Sequence, residues 1–218
     1  MNRKEEIIIA TLELAAEKGL GTVSMAHIAD RIGIKKASIY NHFKSKEEII
    51  GQMYTYLRRQ AKQQKKQGNL TIDELLIGRT MREILHAVID SYKELNADPQ
   101  MVVFYKVITA ERCFNLEAAK IMVEETKTMI QSTKLLFYAM QVKKIAQFDN
   151  PDTAAVTFAM AVHSIMDHEA DLEYLGQSDC GRMMDDFIEE FCTRYGAKER
   201  FGDCDPETSG SDIGGRRV

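Results

Sequence analysis

The chain has 218 residues, a formal net charge of −4, 44% hydrophobic and 28% charged residues. That is room for one large domain or two small ones, with enough apolar content for a core, and it argues against general disorder. Only 3 Pro, no Trp and 8% aromatics, against abundant Glu, Lys, Ala, Met, Leu and Ile, exclude a many-stranded β-protein and point to helices.

No apolar run reaches the roughly 18 residues of a transmembrane helix. The short cluster Ile7, Ile8 and Ile9 has charges on both sides, unlike a signal peptide. Cys113, Cys180, Cys192 and Cys204 form no CxxC pair and read as reduced thiols of a cytoplasmic protein. The common phosphate, dinucleotide, zinc-protease and serine-hydrolase motifs are missing, and no cofactor is expected.

The first predicted helix is 3–18, with Ile7, Ile8, Leu12, Leu14 and Ala15 at helical spacing and Gly19 as its stop. Ser24 caps a second helix, 25–31, with Ile28, Ala29 and Ile32 inward. A third runs over 35–41. Ser45 and Glu48 form a capping box for a long helix, 46–66. Gly68-Asn69 reads as a linker. Beyond it the periodicity predicts helices over 71–96, 99–112, 115–141, 151–174 and 179–195, with Pro99 and Pro151 in first turns. Residues 202–218 lose all periodicity and read as a disordered tail. The fold class is all-α, about nine helices. The division is a three-helix head at 1–45, a connecting helix at 46–67, a body at 68–198 and a tail at 199–218.

Charge follows this division. Of the 29 basic and 33 acidic residues, the first 68 positions hold 13 and 7, a net of +6, and the rest hold 16 and 26, a net of −10. A basic end on an acidic body suits contact with a polyanion, and equally a solvated helix face. The segment 24–46 decides between them. Two short helices meet at Gly33, Ala29 is small where they must approach, and Ile28, Ile32, Ile34 and Ile39 can fill the space between. This is a helix-turn-helix pattern. Its second helix carries Lys35, Lys36, Ser38, Tyr40, Asn41 and His42, with no acid between Asp30 and Glu47.

The same stretch resembles the DNA-binding domain of the TetR family of bacterial transcription regulators. Ser24, Ile28, Ala29, Gly33, Ile34, Ile39, Tyr40, His42, Phe43, Ser45, Lys46, Glu47 and Ile49 answer the family pattern over residues 5–60. Two positions depart from it. Ser24 stands for the commoner Thr and keeps the hydroxyl. Lys35 stands where a capping Ser is usual, a loss of about 1 kcal/mol. The resemblance implies that Ser24 with the amides after it, Tyr40, His42 and Lys46 contact phosphates. It leaves Lys35, Lys36, Ala37, Ser38 and, more weakly, Asn41 for base edges, with Phe43 in the core.

The resemblance further implies a homodimer on a palindromic DNA operator, repression, and release by a small-molecule effector of apolar or amphipathic character. The dimer would form on the last two helices, whose stripes are Ala155, Ala159, Val162, Ile165 and Met166, then Met184, Phe187, Ile188, Phe191 and Tyr195. Packing within one chain uses part of each stripe. The expected pocket lies among the body helices, where Met81, Met101, Met122, Met129, Met140, Met160 and Phe158 could line it or be ordinary core. Its candidate residues are His86, Asp90, Tyr92, Phe104, Tyr105, Glu111, Phe137, Tyr138 and His163. His163, Asp167 and Asp171 have metal-ligand spacing, but it is common by chance, and no metal is expected. Two other classes remain. One is a coregulator of the same fold acting through a protein partner without DNA. The other is a helical enzyme using His163, Asp167 or Cys113, which no motif supports, and no enzyme is expected.

Overall fold

Capping chemistry sets where the helices begin. The computed structural model describes residues 2–64, 71–95, 97–177 and 182–197, and among them are ten α-helices. Helix α1 (Arg3–Lys18) starts at Asn2, whose side chain accepts from the Glu5 amide (3.0 Å) while the Glu5 carboxylate accepts from the Asn2 amide (2.9 Å). It stops at Gly19, where φ is +80°. A 3-10 turn (Leu20–Thr22) leads into α2 (Met25–Arg31), then α3 (Lys36–Tyr40) and α4 (Lys46–Gln64).

The 71–96 segment differs from expectation. It folds as two helices, α5 (Ile72–Leu76) and α6 (Met81–Leu95), broken at Gly78 with φ +66°. Each has its own capping box: the Thr71 hydroxyl with the Glu74 amide, and the Thr80 hydroxyl with the Glu83 amide, both at 3.3 Å. Two caps and a left-handed glycine outcompete an uninterrupted apolar stripe. Helices α7 (Pro99–Glu111), α8 (Leu116–Val142), α9 (Pro151–Tyr174) and α10 (Arg182–Tyr195) follow. Asp98 and Asn150 cap α7 and α9, each with proline in the first turn. The backbone bridge between Ala146 and Gly196 pins the end of α10 to the α8–α9 connection. The Gly68-Asn69 linker, the 202–218 tail, Cys180 and Cys204 lie outside the described residues.

Apolar side chains gather in two cores. The first joins α1–α4 to Met101, Phe104, Val107 and Ile108 of α7 and Ala118, Ile121 and Met122 of α8. The second joins α5, α6, α9, α10 and the C-terminal half of α8, where Phe137 stacks on Phe148 (4.5 Å) and touches Phe158 and Phe191. Helix α8, about 40 Å long at 1.5 Å per residue, runs through both. The expected dimer stripes are largely consumed here. Ala155, Ala159, Val162, Ile165, Met184, Ile188 and Phe191 are buried within the single chain, and Met166, Phe187 and Tyr195 are half-buried.

Candidate nucleic-acid interface

The α2–α3 pair has the expected close turn. The Ile34 amide donates to the Ala29 carbonyl (2.9 Å) and the Gly33 amide to Asp30 (3.3 Å). Gly33 has φ +69° with open space around its α-carbon, so the backbone conformation selects glycine there. Ile28, Ala29 and Ile39 are fully buried between the helices. Ile39 is the one buried residue of α3. Lys36, Ala37 and Tyr40 are exposed, as are Lys35 and Asn41 at its ends, and Ser38 is half-buried. Tyr40 retains 49% of its surface, so it is not packed between helices. Lys35 occupies the N-cap of α3 with no side-chain bond to it, as expected from the lost Ser.

Ser24 caps α2 by accepting from the His27 amide (3.2 Å). Phe43 is buried, and His42 beside it is half-buried. Lys46 has a structural post. Its ammonium donates to the Leu20 and Val23 carbonyls, both at 3.1 Å, tying α4 to the turn before Ser24. An ammonium has three donors, and these two bonds use two of them. The Ser45–Glu48 box is half-formed. The Ser45 hydroxyl accepts from the Glu48 amide (3.2 Å), but the Glu48 carboxylate reaches the Lys44 amide (2.6 Å).

Arg31 of α2 is neutralised by Glu17 (2.6 Å) and Glu13 (3.3 Å) of α1, and this hydrogen bond holds the Glu17 carboxyl below the usual range. Among the described residues neither Lys35 nor Lys36 has an ion-pair partner. Two cations were missed by motif reading. Lys44 is exposed between Phe43 and Ser45. Lys4 sits with its ammonium 5.7 Å from the Phe43 ring centroid, which brings the start of α1 to the α3–α4 turn. No local sequence pattern joins residues 39 positions apart.

A family model, "Bacterial regulatory proteins, tetR family", matches the sequence over residues 7–53. That match covers the N-terminal helices α1 to α3 and the first part of α4. The chain is similar to the HTH-type transcriptional regulator YerO of Bacillus subtilis, 36% identical over 86 residues, 39% of this chain and 28% of YerO. Thus the chain spans under a third of YerO's length. It is also similar to IcaR, the HTH-type negative transcriptional regulator of the biofilm operon icaADBC of Staphylococcus aureus, 29% identical over 147 residues, 62% of this chain and 79% of IcaR. Its fold is like that of the flavonoid-responsive regulator FrrA, at TM-score 0.65 and 22% identity, covering 88% of this chain and 96% of FrrA. All three of these similar proteins are regulators by name. None of the chain's described helices is long and apolar enough to cross a membrane.

In the body, Phe104, Tyr105 and Tyr92 are neighbours, and the other expected pocket residues are spread over both cores and the surface. Phe104 is fully buried in the first core against Tyr54 and Tyr105, and Phe137 in the second. Glu111 faces the head, where its carboxylate accepts from the Gly21 amide (3.4 Å). Tyr138 and Asp90 are exposed and Tyr92 is half-buried. His86 lies 3.9 Å from Asp185, and His163 3.8 Å from Asp167. Met81, Met101, Met122, Met140 and Phe158 are core, Met129 is half-buried and Met160 is exposed. A concavity of about 550 Å³ lies on α8 at Lys127–Lys134, and one of about 280 Å³ at Glu47 and Phe114–Glu117. None of the nine pocket candidates lines either. The reason is physical: helical spacing reports which face is apolar, and close packing fills that face with neighbouring side chains rather than a cavity. Among the described residues no three His, Cys, Asp or Glu side chains are placed to hold a metal.

Proposed function

We propose that this protein is a cytoplasmic repressor that binds a palindromic DNA operator as a homodimer and leaves it when a small apolar or amphipathic molecule binds. The division we propose is a DNA-binding head at 1–45, a connecting helix at 46–67 and a ligand-and-dimer body at 68–198. One observation carries the reading. Helix α3 buries a single residue, Ile39, and leaves Lys36, Ala37 and Tyr40 exposed, with Lys35 and Lys36 at its start lacking an ion-pair partner among the described residues. A helix held this way fits a major groove. Lys35, Lys36, Ala37, Ser38 and Asn41 would meet base edges. Ser24, Tyr40, His42 and the spare donor of Lys46 would meet phosphates.

Similarity to IcaR, a negative regulator, supports repression. Likeness to flavonoid-responsive FrrA supports an amphipathic effector. The dimer face we propose is the outward side of α9 and α10, with Val156, Met160 and Met183 exposed, because the inward stripes are spent on the chain's own core. The reading is tested by selecting bound duplexes from a random pool and then screening for compounds that release the selected DNA. Enrichment of an inverted repeat supports it. A pool that passes unenriched sinks it.

A further inference from the structure

The connecting helix is fastened to the body by one polar cluster inside an otherwise apolar contact. Arg58 of α4 pairs with Glu125 of α8 and hydrogen-bonds the Tyr105 hydroxyl of α7, and that hydroxyl donates to Glu125 at 2.6 Å. The Arg58 and Glu125 side chains keep only 11% and 13% of their surface. The guanidinium also lies 5.1 Å from the Tyr105 ring centroid and 6.0 Å from Tyr54. Burial pushes the Tyr105 hydroxyl well above the ordinary tyrosine range, so it stays protonated and donates. The cluster sits about 18 Å along α4 from Lys46, at 1.5 Å per residue. Lys46 fastens the other end of the helix to the Leu20–Val23 turn. Helix α7 returns to that same turn through Glu111 and the Gly21 amide. Within the shared apolar core, polar links thus join α7 to both the connecting helix and the head turn, through Tyr105 and Glu111.

A buried ion pair contributes little net stability compared with apolar packing of equal volume. Its best-attested use is to specify one register among several that apolar surfaces would tolerate. Apolar contacts between α4, α7 and α8 are non-directional, whereas the three-way bond among Arg58, Tyr105 and Glu125 closes at one relative position. We infer that Arg58, Tyr105 and Glu125 are positioning residues for DNA binding: they fix α4 against the body and so set the separation of the two heads across the dimer. This rests on the proposed homodimer at an inverted repeat. None of the three touches DNA.

The test uses the full-length protein and the duplex it selects, with the central spacer lengthened or shortened by one base pair. The parent should bind the selected spacing far better than either neighbour. The apolar triple variant Arg58→Met/Tyr105→Phe/Glu125→Leu removes both charges of the pair together, so neither is left buried without the other. It should melt at or above the parent temperature, yet lose about tenfold of the discrimination between spacings, within the usual range of coupling between sites. Arg58→Lys keeps the charge without the planar fork and should lose part of it. A purely structural role would lower the melting temperature and leave the spacing profile unchanged. An unchanged profile in both variants overturns the inference while the operator reading stands. If the triple variant does not fold, Arg58→Lys alone decides. A parent that selects no inverted repeat removes the operator reading and this inference with it.

Discussion

Lys46 has two demands on one ammonium. Two of its three donors hold the Leu20 and Val23 carbonyls, and the third is proposed for a phosphate. Lys46→Ala should therefore weaken binding to all DNA sequences, lower the salt slope by about one ion, and also lower the melting temperature. A titration showing an unchanged slope removes Lys46 from the phosphate contacts and leaves it as an anchor. Lys36 has no such duty, and Lys36→Ala should re-order affinities among operator variants while stability stays put. Fixed relative affinities would place Lys36 away from the bases. At this scale the helix-turn-helix was legible because its determinants are local: Gly33 for a positive φ, Ala29 and Ile39 for close packing, Ser24 for a cap. Arg58, Tyr105 and Glu125 were not legible together as a cluster, because 47 and 20 residues separate successive partners and nothing local links them.

Helix ends follow the caps, and the caps follow from short polar side chains at fixed offsets. Asn2, Ser24, Asp98 and Asn150 all stand where such chemistry requires, and the helices they start were expected within a few residues. The break between α5 and α6 was overlooked because the apolar period runs on through it, although Thr71, Glu74, Gly78, Thr80 and Glu83 spell two helix starts. Thr80→Ala should cost about 1 kcal/mol, the usual worth of an N-cap, in a denaturant titration. A loss near zero would mean that packing alone starts α6. Cap and ion-pair contacts also set a pH dependence. The Thr71 backbone and hydroxyl hold Glu74 low, those of Thr80 hold Glu83 low, and Arg31 holds Glu17 low. Carboxyls depressed in the folded state stabilise it above their ordinary value of 4.5, and that contribution is lost as pH falls further. Melting temperature should thus hold near neutrality and drop below about pH 4.5. A melting curve unmoved at pH 3.5 would contradict these contacts.

The whole molecule divides its apolar surface between two cores that share α8, and the first core takes in α7 as well as the basic head. Charge division near residue 68 pointed to a head and a body. It could not show that head and body share side-chain packing, since composition carries no information on contact. Nor could periodicity distinguish a dimer face from a core face, because both are apolar stripes. The buried Ala155 and Phe191 settle their own use. Val156, Met160 and Met183 remain outward, so Met160→Glu should shift a particle of about twice 24.8 kDa toward the single-chain mass in light scattering. A parent already at the single-chain mass would refute the dimer. In the proposed dimer, α3 of each of two linked heads reads DNA. Sequencing duplexes captured by the full-length protein from a random pool tests it directly. The expected product is an inverted repeat with half-site centres about 34–36 Å or a multiple apart. Recovery of the pool without an enriched sequence would contradict it.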